Sequence, residues 1–225
     1  MSQIKKAVVI GGTGATGQQL IKQLLANDKW EKITTIGRKP VLNGNSHDKL
    51  QDIVLKTLYD LSSTKELWKG HDVFFNCIGT TRKRAGSAKI FIEIEAGISM
   101  EAAKMASQSK IAHASVVSAS GANHKQWAKD WIHPLLYIRT IGQKEQTLIK
   151  NKFDRVSIFR PSMLIRLVDN ESWIEHIMKS KGLGLRVDDL ASAMICDAEN
   201  KNDIFEKDSS VTYLDNENIK TLISG

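Results

Sequence analysis

Seven residues, Gly11-Gly12-Thr13-Gly14-Ala15-Thr16-Gly17, follow directly on an apolar run and open a helical pattern. Two spacings fit them: GxGxxG through Gly12, Gly14 and Gly17, or GxxGxxG through Gly11, Gly14 and Gly17. Either lets a tight turn bring bare backbone against a pyrophosphate, while the unpaired N–H groups of a helix N-terminus bind its charge. Thr13 and Thr16 add hydroxyls to that cradle. A strand, this turn and a helix in order imply dinucleotide binding. About 20 residues on, an NAD site places an acid for the ribose 2′-hydroxyl. The sequence there reads Ile36-Gly37-Arg38-Lys39, with no acid. Two cations suit a 2′-phosphate, so the expected cofactor is NADP(H); the plain alternative is a solvated basic turn.

The elements that must hold these residues alternate along the chain. Strand-length apolar runs occur at 4–10, 32–38, 72–79, 114–120 and 154–160, with a weaker one at 52–58. Helical periods occupy 17–28, 90–108 and 134–150, the last opening on Pro134. Such alternation predicts an α/β fold: an open, mostly parallel Rossmann sheet with helices on both faces. After residue 160 the pattern weakens to one helix at 186–199, with Val187, Leu190, Met194 and Ile195 on one face, and a late strand at 210–215. The expectation is a single domain, 1–225, in which 160–225 forms a small lobe over the carboxyl edge of the sheet.

Composition narrows the class. Of 225 residues, 41% are apolar and 25% charged, as in a globular chain with a full core. No apolar run is long enough to span a membrane, and the start of the chain lacks the apolar core of a signal peptide. Cys77 and Cys196 stand in apolar surroundings and read as buried reduced thiols. The expected address is the cytoplasm, with the nucleus second. The net charge of +7 calls for an anionic partner without choosing one. The six histidines show no metal-ligand spacing, so no metal site is expected.

Four stretches in order, GGTGATG (11–17), TIGRK (35–39), CIGTTRKRAG (77–86) and FDRVSIFRP (153–161), resemble the atypical short-chain dehydrogenase/reductases related to the HIV Tat-interacting protein. The resemblance implies an NADPH-binding, oxidoreductase-like regulator. It places cofactor contacts on Thr13, Gly14, Ala15 and Thr16, on Arg38 for the 2′-phosphate, on Ile78 and Gly79 beside the ribose, and on Leu164 near the nicotinamide. It makes Tyr137 the active-site tyrosine. Relatives carry a lysine four residues later, which bonds the nicotinamide ribose and favours the phenolate. This chain has Ile141 there. Lys144 is on roughly the same helix face but about 10 Å further along the axis, and side chains lean toward the helix N-terminus. Arg139 lies about 200° round the helix and faces away. The serine pair expected after the fifth strand reads Ser118-Ala119-Ser120, so either Ser118 or Ser120 is the candidate orienting serine.

Two readings stay open. One is a weak carbonyl reductase with a regulatory role, acting on a small carbonyl substrate through Tyr137 and Ser118. The other is a catalytically silent NADP(H) sensor that works on a protein partner. The basic loop 81–89 lacks interleaved aromatic residues, and nucleic acid is not an expected partner. Trp127 and Trp131 are expected to pack their loop onto the core rather than line a pocket.

Overall fold

The computed structural model describes residues 4–165, 184–200 and 210–224. Its strands are β1 (Lys5–Ile10), β2 (Trp30–Gly37), β3 (Leu50–Val54), β4 (Val73–Asn76), β5 (His113–Val117), β6 (Arg155–Phe159), β7 (Leu164–Ile165), β8 (Leu185–Arg186) and β9 (Val211–Leu214). The helices are α1 (Ala15–Ala26), α2 (Arg82–Ala85), α3 (Ala88–Ile92), α4 (Ile98–Gln108), α5 (His133–Ile149), α6 (Val187–Glu199) and α7 (Asn216–Ser224). A π-helical turn, Glu93–Gly97, joins α3 to α4. Seven strands form one sheet in the order β3-β2-β1-β4-β5-β6-β9, and every neighbouring pair is parallel. The predicted Rossmann architecture is present.

Alternation across the sheet explains why the strands read as unbroken apolar runs. Ala7 and Val9 of β1 enter one core with Val73 and Phe75 of β4, under Leu20, Ile21 and Leu24 of α1. Val8 and Ile10 enter the opposite core with Phe74, under Ile98, Ala102 and Met105 of α4. Successive side chains of a strand point to opposite faces, and both faces here are covered by helices. The middle of β1, Ala7–Ile10, and of β4, Val73–Phe75, is therefore apolar at successive positions.

Boundaries moved where apolar residues leave the ladder. The predicted strand 72–79 ends at Asn76, because Cys77, Ile78 and Gly79 turn out over the sheet edge. The run at 114–120 likewise stops at Val117. Within the C-terminal stretch, β9 extends the main sheet beside β6. Val187, Leu190, Met194 and Ile195 of α6 are all buried, and this helix shares the α1 core. Of the stretch 160–225 expected to form a lobe, α6, β9 and α7 thus join the main sheet and its core, and β7–β8 makes a separate two-stranded ladder; 166–183 and 201–209 lie outside the described residues.

One buried polar knot ties β5, β6 and α6. His113 Nε2 lies 2.9 Å from Ser157 Oγ and 3.5 Å from the Asp197 carboxylate, which also holds Arg155. Burial, aided by the charges of Arg155 and Lys5, pushes His113 well below its ordinary 6.5, so the folded protein keeps it neutral. The unfolded chain takes up that proton and the folded one does not, so stability falls as pH drops through 6.5. Asp197, pushed up by burial from 3.8, acts in the opposite sense in the more acid range. Thermal melts from about pH 7.5 down to about pH 5.5 should show a falling midpoint, and His113→Asn should flatten that slope.

Candidate functional site

Strand order reverses between β1 and β4, and a cleft opens there over the carboxyl ends of the sheet. Two adjoining cavities of about 640 and 700 Å³ fill it. They share a wall that includes Thr13, Gly14, Ile78, Gly79 and Arg84.

The glycine turn shapes this wall by steric necessity. Gly11 has φ +76°, and a Cβ there would stand 2.4 Å from the carbonyl carbon of Cys77. A Cβ on Gly17 would stand 2.3 Å from the Gly11 carbonyl oxygen. Gly17 therefore packs beneath the turn and does not face the cavity, whereas Thr13, Gly14, Ala15 and Thr16 line the inner half. No side chain caps α1 and no acid stands in its first turn, so its opening N–H groups keep their donors for a ligand.

Arg38 and Lys39 line the outer cavity with Thr35, Gly11 and Gly12. The loop carrying them is pinned by Asp52, whose carboxylate accepts from Thr35 Oγ1 and, at 2.9 Å, from the Val41 N–H. Asp52 is thus engaged by the loop and does not line the outer cavity. Among the described residues, no carboxylate lines the outer cavity. Leu58, Ile94 and Ile98 give it an apolar side fit for a flat ring.

The inner cavity gathers Tyr137, Ser118 and Leu164. The Tyr137 ring stacks on Phe91 with centroids 6.2 Å apart and stays 41% exposed. Ser118 Oγ donates to Glu145 Oε1 at 2.5 Å, and Arg160 grips both oxygens of that carboxylate at 2.8 and 2.7 Å. An ionised carboxylate only accepts. Ser118 thus spends its proton on Glu145 and offers the cavity lone pairs. Ser120 is exposed and lines neither cavity. Arg139 faces away, donating to the Ala128 carbonyl at 2.7 Å. Ile141 is buried in an apolar cluster with Ala119 and Ala122.

Lys144 is tied to the loop that follows β4. Its ammonium donates to the Ile78 carbonyl and lies 3.3 Å from Glu95 Oε2, with both side chains 2% exposed. Glu95 Oε1 accepts the Thr80 N–H at 2.6 Å. Lys144 and Glu95 both line the inner cavity.

Sequence reasoning missed Glu95 and Arg84. Glu95 sits in the π turn, which no spacing rule announces. Arg84 belongs to the basic loop 81–89, whose spacing does not say which cation faces the cleft; Arg84 lines both cavities. Thr81 and Ser87 cap the two short helices of that loop, which decides the direction. Trp127 and Trp131 correct another expectation: they are 62% and 72% exposed and do not pack onto the core. Both cysteines are free, and burial pushes the Cys77 thiol up to about 12, so it stays protonated at the cleft wall. Among the described residues, no group of histidines, cysteines and acids is arranged to hold a metal, and no helix is long and apolar enough to cross a membrane.

Residues 11–195 match the NAD(P)H-binding family. The chain is 30% identical to protein HTATIP2 of Rattus norvegicus over 72% of its own length and 64% of that protein's. It is 35% identical to the mitochondrial protein FMP52 of Debaryomyces hansenii over 71% and 66%. The match thus spans just under two thirds of each relative. Among solved structures, it resembles a dTDP-glucose 4,6-dehydratase from Streptomyces venezuelae with NAD and TYD bound, at TM-score 0.67 and 13% identity, over 97% of this chain and 80% of that one. MoeE5 in complex with UDP-glucose and NAD gives 0.65 and 14%, over 93% and 75%. The expected cytoplasmic or nuclear address is overturned by the fungal relatives, since FMP52 of Debaryomyces hansenii and of Candida albicans are named mitochondrial.

A Cβ added to Gly79 meets no atom within 4 Å, and the residue is exposed at the shared wall. Gly79→Val should therefore leave the melting temperature near wild type and instead fill the cleft. Fluorescence titration should read a loss of NAD(P)H affinity of about tenfold or more, roughly 1.4 kcal/mol.

Proposed function

Because the chain belongs to the NAD(P)H-binding family, among the atypical short-chain dehydrogenase/reductases related to HTATIP2, we propose that it binds NADPH in this cleft and slowly reduces a small carbonyl compound, in a regulatory role. The observation that carries this reading is the pairing of Arg38 and Lys39 in an acid-free outer cavity continuous with the glycine turn. Backbone N–H groups of the turn and Arg84 would hold the diphosphate, and Arg38 with Lys39 the 2′-phosphate. Ile78, Gly79 and Leu164 would flank the inner ribose and the nicotinamide. The fit is supported by the bare Cα of Gly79 and the uncapped start of α1. When bound, the nicotinamide supplies hydride from C4.

The protein's own part in reduction falls to Tyr137, whose hydroxyl holds the proton that a carbonyl oxygen needs as it becomes an alcohol. Ser118, fixed by Glu145 and Arg160, would accept from the substrate or from Tyr137 rather than donate. The second reading is a silent NADP(H) sensor. It is favoured by Ile141 and Ala119, which place an apolar contact where relatives carry a lysine and a serine.

Two measurements test these readings. Arg38→Asp should weaken NADPH by about tenfold or more, the loss of one charge-assisted bond and its replacement by repulsion, while NADH holds or gains. An unchanged NADPH/NADH ratio removes the 2′-phosphate assignment. Tyr137→Phe should abolish carbonyl reduction and keep NADPH affinity within about twofold if the enzyme reading holds. A wild-type protein that binds NADPH but reduces none of a broad panel of aldehydes and ketones supports the sensor.

A further inference from the structure

Lys144 and Glu95 are a buried ion pair at the wall of the inner cavity, outside every position carried over from relatives. Burying two charges costs several kcal/mol per ion, and well-packed apolar residues often do as well or better for stability. A pair placed on a cavity wall therefore invites a reading in terms of a ligand. Its bonding is incomplete in the right direction. An ammonium has three donors, and Lys144 uses two of them, on the Ile78 carbonyl and on Glu95. The third has no acceptor among the described residues. The Glu95 oxygens hold Thr80 N–H and Lys144, and each carboxylate oxygen has a second lone pair. A donor and an acceptor thus stand side by side, with their charges cancelled.

A neutral donor–acceptor couple suits vicinal hydroxyls better than a phosphate. The phosphate-binding cations, Arg38, Lys39 and Arg84, stand on the outer and shared walls. Lys144 and Glu95 line only the inner half, beside Tyr137. The backbone agrees, since the π turn brings Glu95 against Thr80, and the Lys144 ammonium meets the Ile78 carbonyl just past the end of β4.

We propose that the Lys144–Glu95 pair is a diol-binding element, which grips the two hydroxyls of the ribose next to the nicotinamide. It rests on the NADPH reading above and adds the residues that hold the inner half of the molecule. Lys144 stands three residues beyond the position where relatives carry their lysine, and its charge is neutralised by Glu95. It anchors the cofactor without adding a net positive field at Tyr137.

The experiment compares two ligands, NADPH and adenosine 2′,5′-bisphosphate, which lacks the inner ribose. They are titrated against the wild type and against Lys144→Met/Glu95→Gln, in which both charges leave together and no buried ion is stranded. A thermal melt close to wild type certifies the fold. The double variant should lose NADPH affinity by about tenfold or more and bind the bisphosphate within about twofold of wild type. Unchanged NADPH binding overturns the proposal. So does an equal loss of both ligands, which would make the pair a prop for the 78–80 loop. A wild-type protein that binds neither ligand sinks the NADPH reading itself, a result distinct from both.

Discussion

Three backbone segments meet without side chains at the end of β1, and the site depends on that contact. The Cys77 N–H donates to the Ile10 carbonyl at 3.0 Å, so β4 runs beside β1 to its last residue. The chain must then turn away over Cys77 and start α1 within five residues. Gly11 lies against the Cys77 carbonyl and Gly17 against Gly11, both closer than any Cβ permits. Because the turn is this tight, α1 begins directly over the sheet edge and aims its first N–H groups into the cleft. A looser turn would move the helix start and with it the shared wall of both cavities. Local steric demand, more than any bond to a ligand, fixes where an anion can sit.

Charge is graded along the cleft. At the outer end Arg38 and Lys39 stand exposed, with Asp52 drawn inward to Thr35 and Val41. In the middle Arg84 leans over both cavities. At the inner end the charges are paired off: Lys144 with Glu95, and Arg160 with Glu145 beneath Ser118. Exposed cations attract anions over a Debye length, whereas buried compensated pairs orient neutral polar groups at short range. The gradient matches a ligand that is anionic at one end and nearly neutral at the other.

The sheet was legible because its central strands are buried on both faces, which leaves apolar runs of strand length, rich in β-branched and aromatic residues, between longer helical periods. The same cue overran the strand ends. Cys77 and Ile78 are apolar because they line a cleft, not because they stay in the ladder, and sequence cannot separate the two. The glycine turn and Arg38 were legible because their chemistry depends on adjacent residues. Arg84, Glu95 and Lys144 were not assigned, because their placement at the cleft depends on two short capped helices, on a π turn and on a contact between α5 and the loop after β4. Exposure of Trp127 and Trp131 was equally hidden, since an i, i+4 aromatic pair has the same spacing whether it packs or protrudes.

The two departures from the relatives' pattern are one event in space. Ile141 stands where they carry a lysine and Ala119 where they place a serine, and these two side chains pack together with Ala122. One residue further along α5, a Cβ on Gly142 would fall 2.2 Å from the His124 backbone nitrogen, so helix and loop press backbone to backbone. Ile141 also lines the inner cavity and gives that part of its wall an apolar surface. One turn on, the Ile78 carbonyl and Glu95 receive an ammonium with its bonds nearly satisfied. Lys144 thus stands where a backbone carbonyl and a counter-ion meet its charge. A neutral pair projects a field that fades faster with distance than that of a lone charge, so the Lys144–Glu95 pair adds less to the field at Tyr137 than a lone ammonium in the same place would.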